Sequence, residues 1–120
     1  MRYCLALDLQ PDEKLIAEYE QWHRDVWPEI KASILDSGII QMEIWRLENR
    51  LFMIMETTDD FSFDKKAALD AAREEVQRWE ELMWKYQLAI PGGRPGEKWR
   101  LMDKIFSLKG STDKDVQSKE

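Results

Sequence analysis

Two strand-like runs, Ile39 to Leu47 and Leu51 to Thr58, are parted by only three polar residues, Glu48-Asn49-Arg50, and no other stretch limits the fold so tightly. Both runs are rich in Ile, Met, Phe and Trp, bulky side chains that suit a pleated, half-buried surface. So short a connection has one economical solution. It is an antiparallel hairpin, with Asn49 or Arg50 taking the awkward backbone angle of the loop. Two further strands flank it. Arg2 to Leu9 alternates Tyr3, Leu5, Leu7 and Leu9 with Arg2, Cys4, Ala6 and Asp8, and Trp99 to Leu108 sets Trp99, Leu101 and Ile105 against Met102 and Phe106. This period of two predicts a first and a closing strand.

The segments between the strands are helical. Asp12 is placed to cap a helix in which Leu15, Tyr19, Trp22 and Val26 recur at spacings of four, three and four. Trp27-Pro28 interrupts it. A proline disfavours helix in the residue before it and suits the first turn of a new one, so a second helix is expected from Pro28 to Ser37. Gly38 fits the left-handed residue that stops it. From Asp64 to Leu88 the chain has strong helix formers and no glycine or proline, with Val76, Trp79, Met83 and Tyr86 as a buried stripe that Trp84 and Leu88 broaden. Asp70 to Glu75 is polar, so this segment is one bent helix or two. Pro91 to Gly96 is a loop by composition and a candidate flap.

The order is therefore β-α-β-β-α-β, a ferredoxin-like α+β fold in which helices cover one face of an antiparallel sheet. Residues 1–109 form one domain, and 110–120 are a polar tail expected to be disordered. Apolar side chains on both strand faces, among them Met42, Ile44, Met53, Met55, Leu101 and Ile105, call for a cover on the second face. A second copy of the chain is the natural one, giving a homodimer of facing sheets.

Composition removes several function classes. In 120 residues, 18 Lys and Arg stand against 24 Asp and Glu, a net charge of -6, and no basic stripe suits a nucleic-acid backbone. No apolar run approaches the roughly 20 residues of a membrane span, and the N-terminal run is too short and interrupted for a signal peptide. A cytoplasmic protein with neither membrane nor nucleic-acid partner is expected. One cysteine excludes an internal disulfide, and one cysteine with one histidine cannot supply a structural zinc site. No nucleotide-binding glycine motif is present, so no cofactor is expected.

The lone histidine, His23, lies between Trp22 and Trp27 and four residues after Tyr19. On a helix the phenol and the imidazole stand one above the other. Histidine is the side chain that donates and accepts protons near neutral pH, so His23 is the first candidate for catalysis.

In this arrangement the sequence resembles the L-rhamnose mutarotase family, small dimeric α/β-barrel proteins that interconvert the anomers of 6-deoxy sugars. The resemblance covers about residues 1 to 108. It rests on Tyr19-x-x-x-His23, Trp27-Pro28-Glu29, Gly38 before the hairpin, Gln77-Arg78-Trp79 and the closing hydrophobic strand. It implies that His23 is the proton donor, that Tyr19 and Trp79 contact a monosaccharide, and that no cofactor is needed. The chain departs from the rhamnose enzymes at two pocket positions. Met42 stands where they carry a tyrosine and Glu80 where they carry a second tryptophan, which makes L-fucose a candidate substrate beside L-rhamnose.

Other readings compete with this one. Facing ferredoxin-like dimers also host haem-binding and cofactor-independent monooxygenases, and a dimeric small-molecule-binding module without catalysis is a further alternative. Trp79 and Trp84 sit at a spacing that serves a core as readily as a sugar platform. Trp22, Trp27, Trp45 and Trp99 read as core or dimer interface, and Glu13, Glu18, Glu20, Glu74, Glu75 and Glu81 as solvated helix face.

Overall fold

In a computed structural model, which describes residues 1–94 and 97–109, five strands and four helices follow one another as β1 (Arg2–Leu9), α1 (Glu13–Arg24), α2 (Pro28–Asp36), β2 (Ile39–Leu47), β3 (Arg50–Thr57), α3 (Phe63–Ala71), α4 (Glu74–Trp84), β4 (Gln87–Leu88) and β5 (Arg100–Leu101). The polar tail expected at 110–120 lies outside the described residues. The strands form one antiparallel sheet in the order β2-β3-β1-β4, with β5 also on β1. This is the ferredoxin-like α+β arrangement that the element order predicts.

Local chemistry accounts for the boundaries. The Asp12 carboxylate accepts from the backbone N–H groups of Lys14 and Leu15 at 2.9 and 3.1 Å and starts α1. Pro28 opens α2, and Gly38, at φ +101°, ends it. The long helical segment does break. Ser62 caps α3, Arg73 is extended, and α4 begins at Glu74. Across the gap the Gln77 side chain donates at 2.9 Å to the Asp70 carbonyl, which also accepts from the Arg73 N–H at 3.3 Å.

The hairpin turn is tighter than expected and strained at a different residue. Leu47 pairs directly with Arg50, so the turn holds two residues, and Glu48 rather than Asn49 or Arg50 adopts positive φ, +53°. The neighbours are occupied elsewhere. Asn49 accepts from the Leu9 N–H at 2.7 Å and donates through its amide to the Leu9 carbonyl, while Arg50 forms a two-pronged pair with Asp8. Both residues tie the turn to β1.

The closing strand is likewise shorter than its sequence suggests. Only Arg100 and Leu101 pair with β1, and the ladder ends once the Met102 N–H reaches the Cys4 carbonyl. From Met102 the chain is no longer strand, and Ile105, Phe106 and Leu108 stand 94, 76 and 86% exposed. Alternation alone marks a strand but cannot supply a partner for it. Trp84 and Leu88, expected in the buried stripe, are each 41% exposed at the end of α4 and beyond it.

The helices cover the sheet face that carries Leu5, Leu7, Leu9, Leu51, Met53 and Met55. Four side chains, Leu7, Leu9, Ile39 and Leu51, are shut off from solvent, and each such burial contributes about 1.5–3 kcal/mol. A β-bulge in β2 shifts the register between Ile39 and Gln41 and leaves Ile40 exposed. That extra residue turns Met42 and Ile44 to the same side as Ile39, opposite Met55 and Met53. Met42, Ile44, Met53 and Met55 therefore serve the face under the helices and not the outer face that a second copy was expected to cover. The outer face carries Ala6, Phe52 and Trp45 in one cross-strand row and Cys4 and Ile54 in the next.

Candidate functional site

Between the helical layer and the sheet lies a cavity of about 550 Å³, within the size range of small-molecule sites. Helix α1 brings Tyr19 and His23 to it, the bulged strand β2 brings Met42, and α4 brings Trp79 and Glu80. All five residues singled out in the sequence thus line one cavity, though they come from three separate elements.

Tyr19 and His23 stack as their spacing of four dictates, with ring centroids 4.4 Å apart and planes inclined by 36°. The His23 Nδ1 lies 2.9 Å from the Tyr19 carbonyl oxygen. A carbonyl only accepts, so Nδ1 carries the hydrogen and the neutral ring keeps its lone pair on Nε2. Burial pushes the imidazole below its ordinary 6.5, against the smaller opposing effect of that hydrogen bond. Tyr19 is 3% exposed, and burial pushes its phenol up to about 12, with the Gln87 side chain acting against the rise and the Glu80 charge adding to it. At neutral pH the site therefore pairs a neutral base with a protonated phenol.

Trp79 presents an edge-on contact to His23, with centroids 5.6 Å apart, and is itself wedged against Trp22 and Trp27 at 6.5 and 5.1 Å. It belongs to the core and to the cavity wall at once. Trp22 and Trp27 are half-buried against the same cluster, Trp99 is half-buried in the cavity wall, and Trp45 stands 61% exposed on the outer sheet face. Glu80 is ion-paired with Lys98, which also lies over the Trp84 ring.

Helix α1 is held in place by a relay on its other side. The Trp22 indole N–H donates to the Tyr86 hydroxyl at 3.0 Å, and that hydroxyl donates to Glu18 at 3.1 Å. Glu18 is thus a relay member rather than plain solvated surface, and Glu20, outside the relay, pairs with Arg46 of β2.

Sequence reasoning missed several polar residues of the cavity: Ser33, Gln87, Lys98 and the Lys66–Asp70 pair. Gln87 carried one usable signal, a glutamine set between a buried tyrosine and an apolar residue. Lys98 follows the glycine-rich loop, and nothing in its spacing from Glu80 announces their contact. Among the described residues no group of three or more His, Cys, Asp or Glu side chains is placed to hold a metal, and no helix is long and apolar enough to cross a membrane.

The chain is similar to known proteins along most of its length. The family model described as L-rhamnose mutarotase matches residues 2–108. An L-fucose mutarotase from Xanthomonas campestris pv. campestris is 50% identical over 109 residues, covering 89% of this chain and 87% of that protein. An L-rhamnose mutarotase from Shigella flexneri is 26% identical over 97 residues, 79% of this chain and 84% of that one. In fold, the chain is similar to the crystal structure of an L-rhamnose mutarotase from Formosa agariphila, with a TM-score of 0.67 at 21% identity, over 90% of this chain and 98% of that one.

Proposed function

The chain belongs to the L-rhamnose mutarotase family of sugar isomerases, and from that premise we propose that it interconverts the α and β anomers of a 6-deoxyhexose, with L-fucose preferred over L-rhamnose. The observation that carries the reading is the stacked Tyr19–His23 pair on the wall of a mostly apolar cavity. The preference rests on the higher identity to the fucose-named relative than to the rhamnose-named one. Met42 and Glu80, which line the cavity, are the two positions at which the resemblance implies a departure from the rhamnose enzymes. The family match favours this reading over the oxygenase and the binding module.

Anomerisation opens the pyranose ring and closes it on the other face, so one proton must leave the anomeric hydroxyl while another reaches the ring oxygen. In the proposed cycle His23 Nε2 takes the anomeric proton as the C1–O5 bond breaks, and the Tyr19 phenol gives its proton to O5. The open-chain aldehyde turns about C1–C2. On closure the C5 hydroxyl adds to C1 and returns its proton to Tyr19, while the His23 imidazolium returns its proton to O1. His23 is thereby the proton donor in the closing half, the role that the resemblance implies. Trp79 offers an indole to the apolar C–H surface of the sugar. Met42 and Glu80 complete the wall.

A homodimer belongs to the same proposal. Phe52 and Trp45 in one outer row, with Cys4 and Ile54 in the next, and the exposed Ile105, Phe106 and Leu108 of the C-terminal arm are apolar side chains that a second copy would cover.

The test is saturation-transfer NMR of anomer exchange with L-fucose, L-rhamnose and several D-sugars. Exchange accelerated for L-fucose above all others is the expected result. A folded protein that leaves every sugar at its rate in buffer would refute the function.

A further inference from the structure

We propose that Gln87 is a sugar-binding residue whose side-chain oxygen accepts a hydrogen bond from one hydroxyl of the sugar, and that this contact sets which 6-deoxyhexose the cavity prefers. The inference rests on the mutarotase reading above and adds to it a residue that neither the motifs nor the stacked pair singled out.

Gln87 is 5% exposed, lines the cavity, and holds an Oε1 that has no hydrogen-bond partner among the described residues. Native interiors hold few buried acceptors without a donor, because such a group has lost water and gained nothing in exchange. The residue cannot easily turn elsewhere. Its backbone is fixed in β4 opposite Leu9, and its carbonyl accepts from the Gln10 amide at 3.3 Å. Its side chain also acts on the Tyr19 phenol in the direction that favours the phenolate, as an amide N–H does when it donates. An amide nitrogen turned toward the phenol leaves the oxygen, which has no partner of its own, for the cavity.

The second orphan on the cavity wall, Ser33 Oγ, does not carry the same weight. A helical serine satisfies itself by rotating toward the carbonyl one turn back, so it needs no ligand. A glutamine on a two-residue strand has no such recourse.

Tyr19 and Gln87 together therefore present a hydroxyl donor beside an amide acceptor. L-Fucose and L-rhamnose carry the same groups and differ in configuration at C2 and C4, so discrimination requires polar atoms fixed in space. A site built to hydrogen-bond a hydroxyl rejects a sugar that fails to present it there, since its own buried polar atom stays unpaired.

The experiment compares wild type with Gln87→Leu, similar in volume and without polar atoms, and with Gln87→Met should the first fail to fold. For L-fucose the variant should raise KM about tenfold, and the fucose-to-rhamnose ratio of kcat/KM should move toward one. In wild type, one of the 2-, 3- and 4-deoxy analogues of L-fucose should lose about the same factor, and that analogue should not distinguish the variant from wild type. An active wild type whose Gln87→Leu form keeps KM and the sugar ratio within twofold would overturn the subsite alone. A wild type that accelerates no exchange at all would overturn the mutarotase reading and the subsite with it.

Discussion

The Nδ1–H of His23 donates to the carbonyl oxygen of Tyr19 across 2.9 Å, and this bond decides which ring nitrogen remains to do chemistry. It is an i to i−4 contact that runs from the last turn of α1 back to the turn before. The helix end thus fixes the tautomer, and the ring stacking fixes the plane.

His23→Ala should lower anomer exchange by roughly 10²–10⁴-fold, the usual contribution of one acid–base group, with the fold intact. His23→Asn should fall as far, since its amide keeps polarity but does not titrate. Tyr19→Phe should raise the barrier as well, by losing the phenol that serves the ring oxygen while keeping the ring against His23. Line-shape or saturation-transfer rates for the three variants check this. Rates within a few-fold of wild type for folded His23→Ala would remove His23 from the mechanism.

The pH profile follows from the direction of the His23 shift. Burial holds its folded pKa below the ordinary 6.5, so the ring is neutral and ready to accept at pH 7. Activity should be level from pH 7 to pH 9 and should decline as pH falls below 6.5 through the lowered pKa. Charged groups nearby are Glu80 with Lys98 and Asp70 with Lys66 in the main cavity, and Glu20, Arg24 and Arg46 in a smaller one behind the ring. Stability has the same sign. Between the folded pKa and 6.5 the unfolded chain binds more protons, so this group's contribution is complete above 6.5 and is lost as pH falls through the folded value. An activity that climbs toward acid would instead assign the rate-limiting step to a preformed imidazolium.

Tyr86→Phe should separate stability from chemistry. The variant removes the hydroxyl that accepts from Trp22 and donates to Glu18, leaving two groups on α1 without their partner. A loss of about 1–3 kcal/mol is expected, read as a lower denaturant midpoint, with activity at 25 °C reduced far less than in His23→Ala. An unchanged midpoint would mean that water replaces the hydroxyl at no cost.

Much of the fold was legible because local chemistry dictated it. Asp12, Pro28 and Gly38 each mark a helix boundary by a mechanism that acts within four residues, and the structure has all three. The stacked pair was legible for the same reason, since a spacing of four on a helix is a statement about geometry. What failed depended on partners distant in sequence. Trp99 to Leu108 has the period of a strand but only two of its residues find a ladder. The left-handed residue of the hairpin went to Glu48 because Leu9 and Asp8, forty residues earlier, hold Asn49 and Arg50. Gln87 and Lys98 entered the cavity through tertiary packing that no spacing encodes. The bulge at Ile40 was invisible to strict alternation, yet it is what turns Met42 toward His23's cavity.

That bulge also changes which residues a second copy must cover, and so it sharpens the dimer prediction. Met42, Ile44, Met53 and Met55 belong to the face under the helices, which leaves Trp45, Phe52 and Ile54 for the outer face. Trp45 stands 61% exposed, and its indole N–H donates only to Glu43 on its own strand, so the isolated fold owes it little. Trp45→Glu should therefore cost the single chain no more than about 0.5 kcal/mol, the usual range for surface changes. Placed between two facing sheets, the same carboxylate would meet its own copy in an apolar contact, where an unpaired buried charge is strongly unfavourable. Light scattering coupled to size exclusion should return twice the 14.3 kDa chain mass for wild type at micromolar concentration and a mass near 14.3 kDa for Trp45→Glu. Ile54→Glu, in the neighbouring row, should act in the same direction. A wild type that elutes as a single chain would overturn the dimer; a Trp45→Glu protein that stays dimeric would move the interface to the arm that carries Ile105, Phe106 and Leu108.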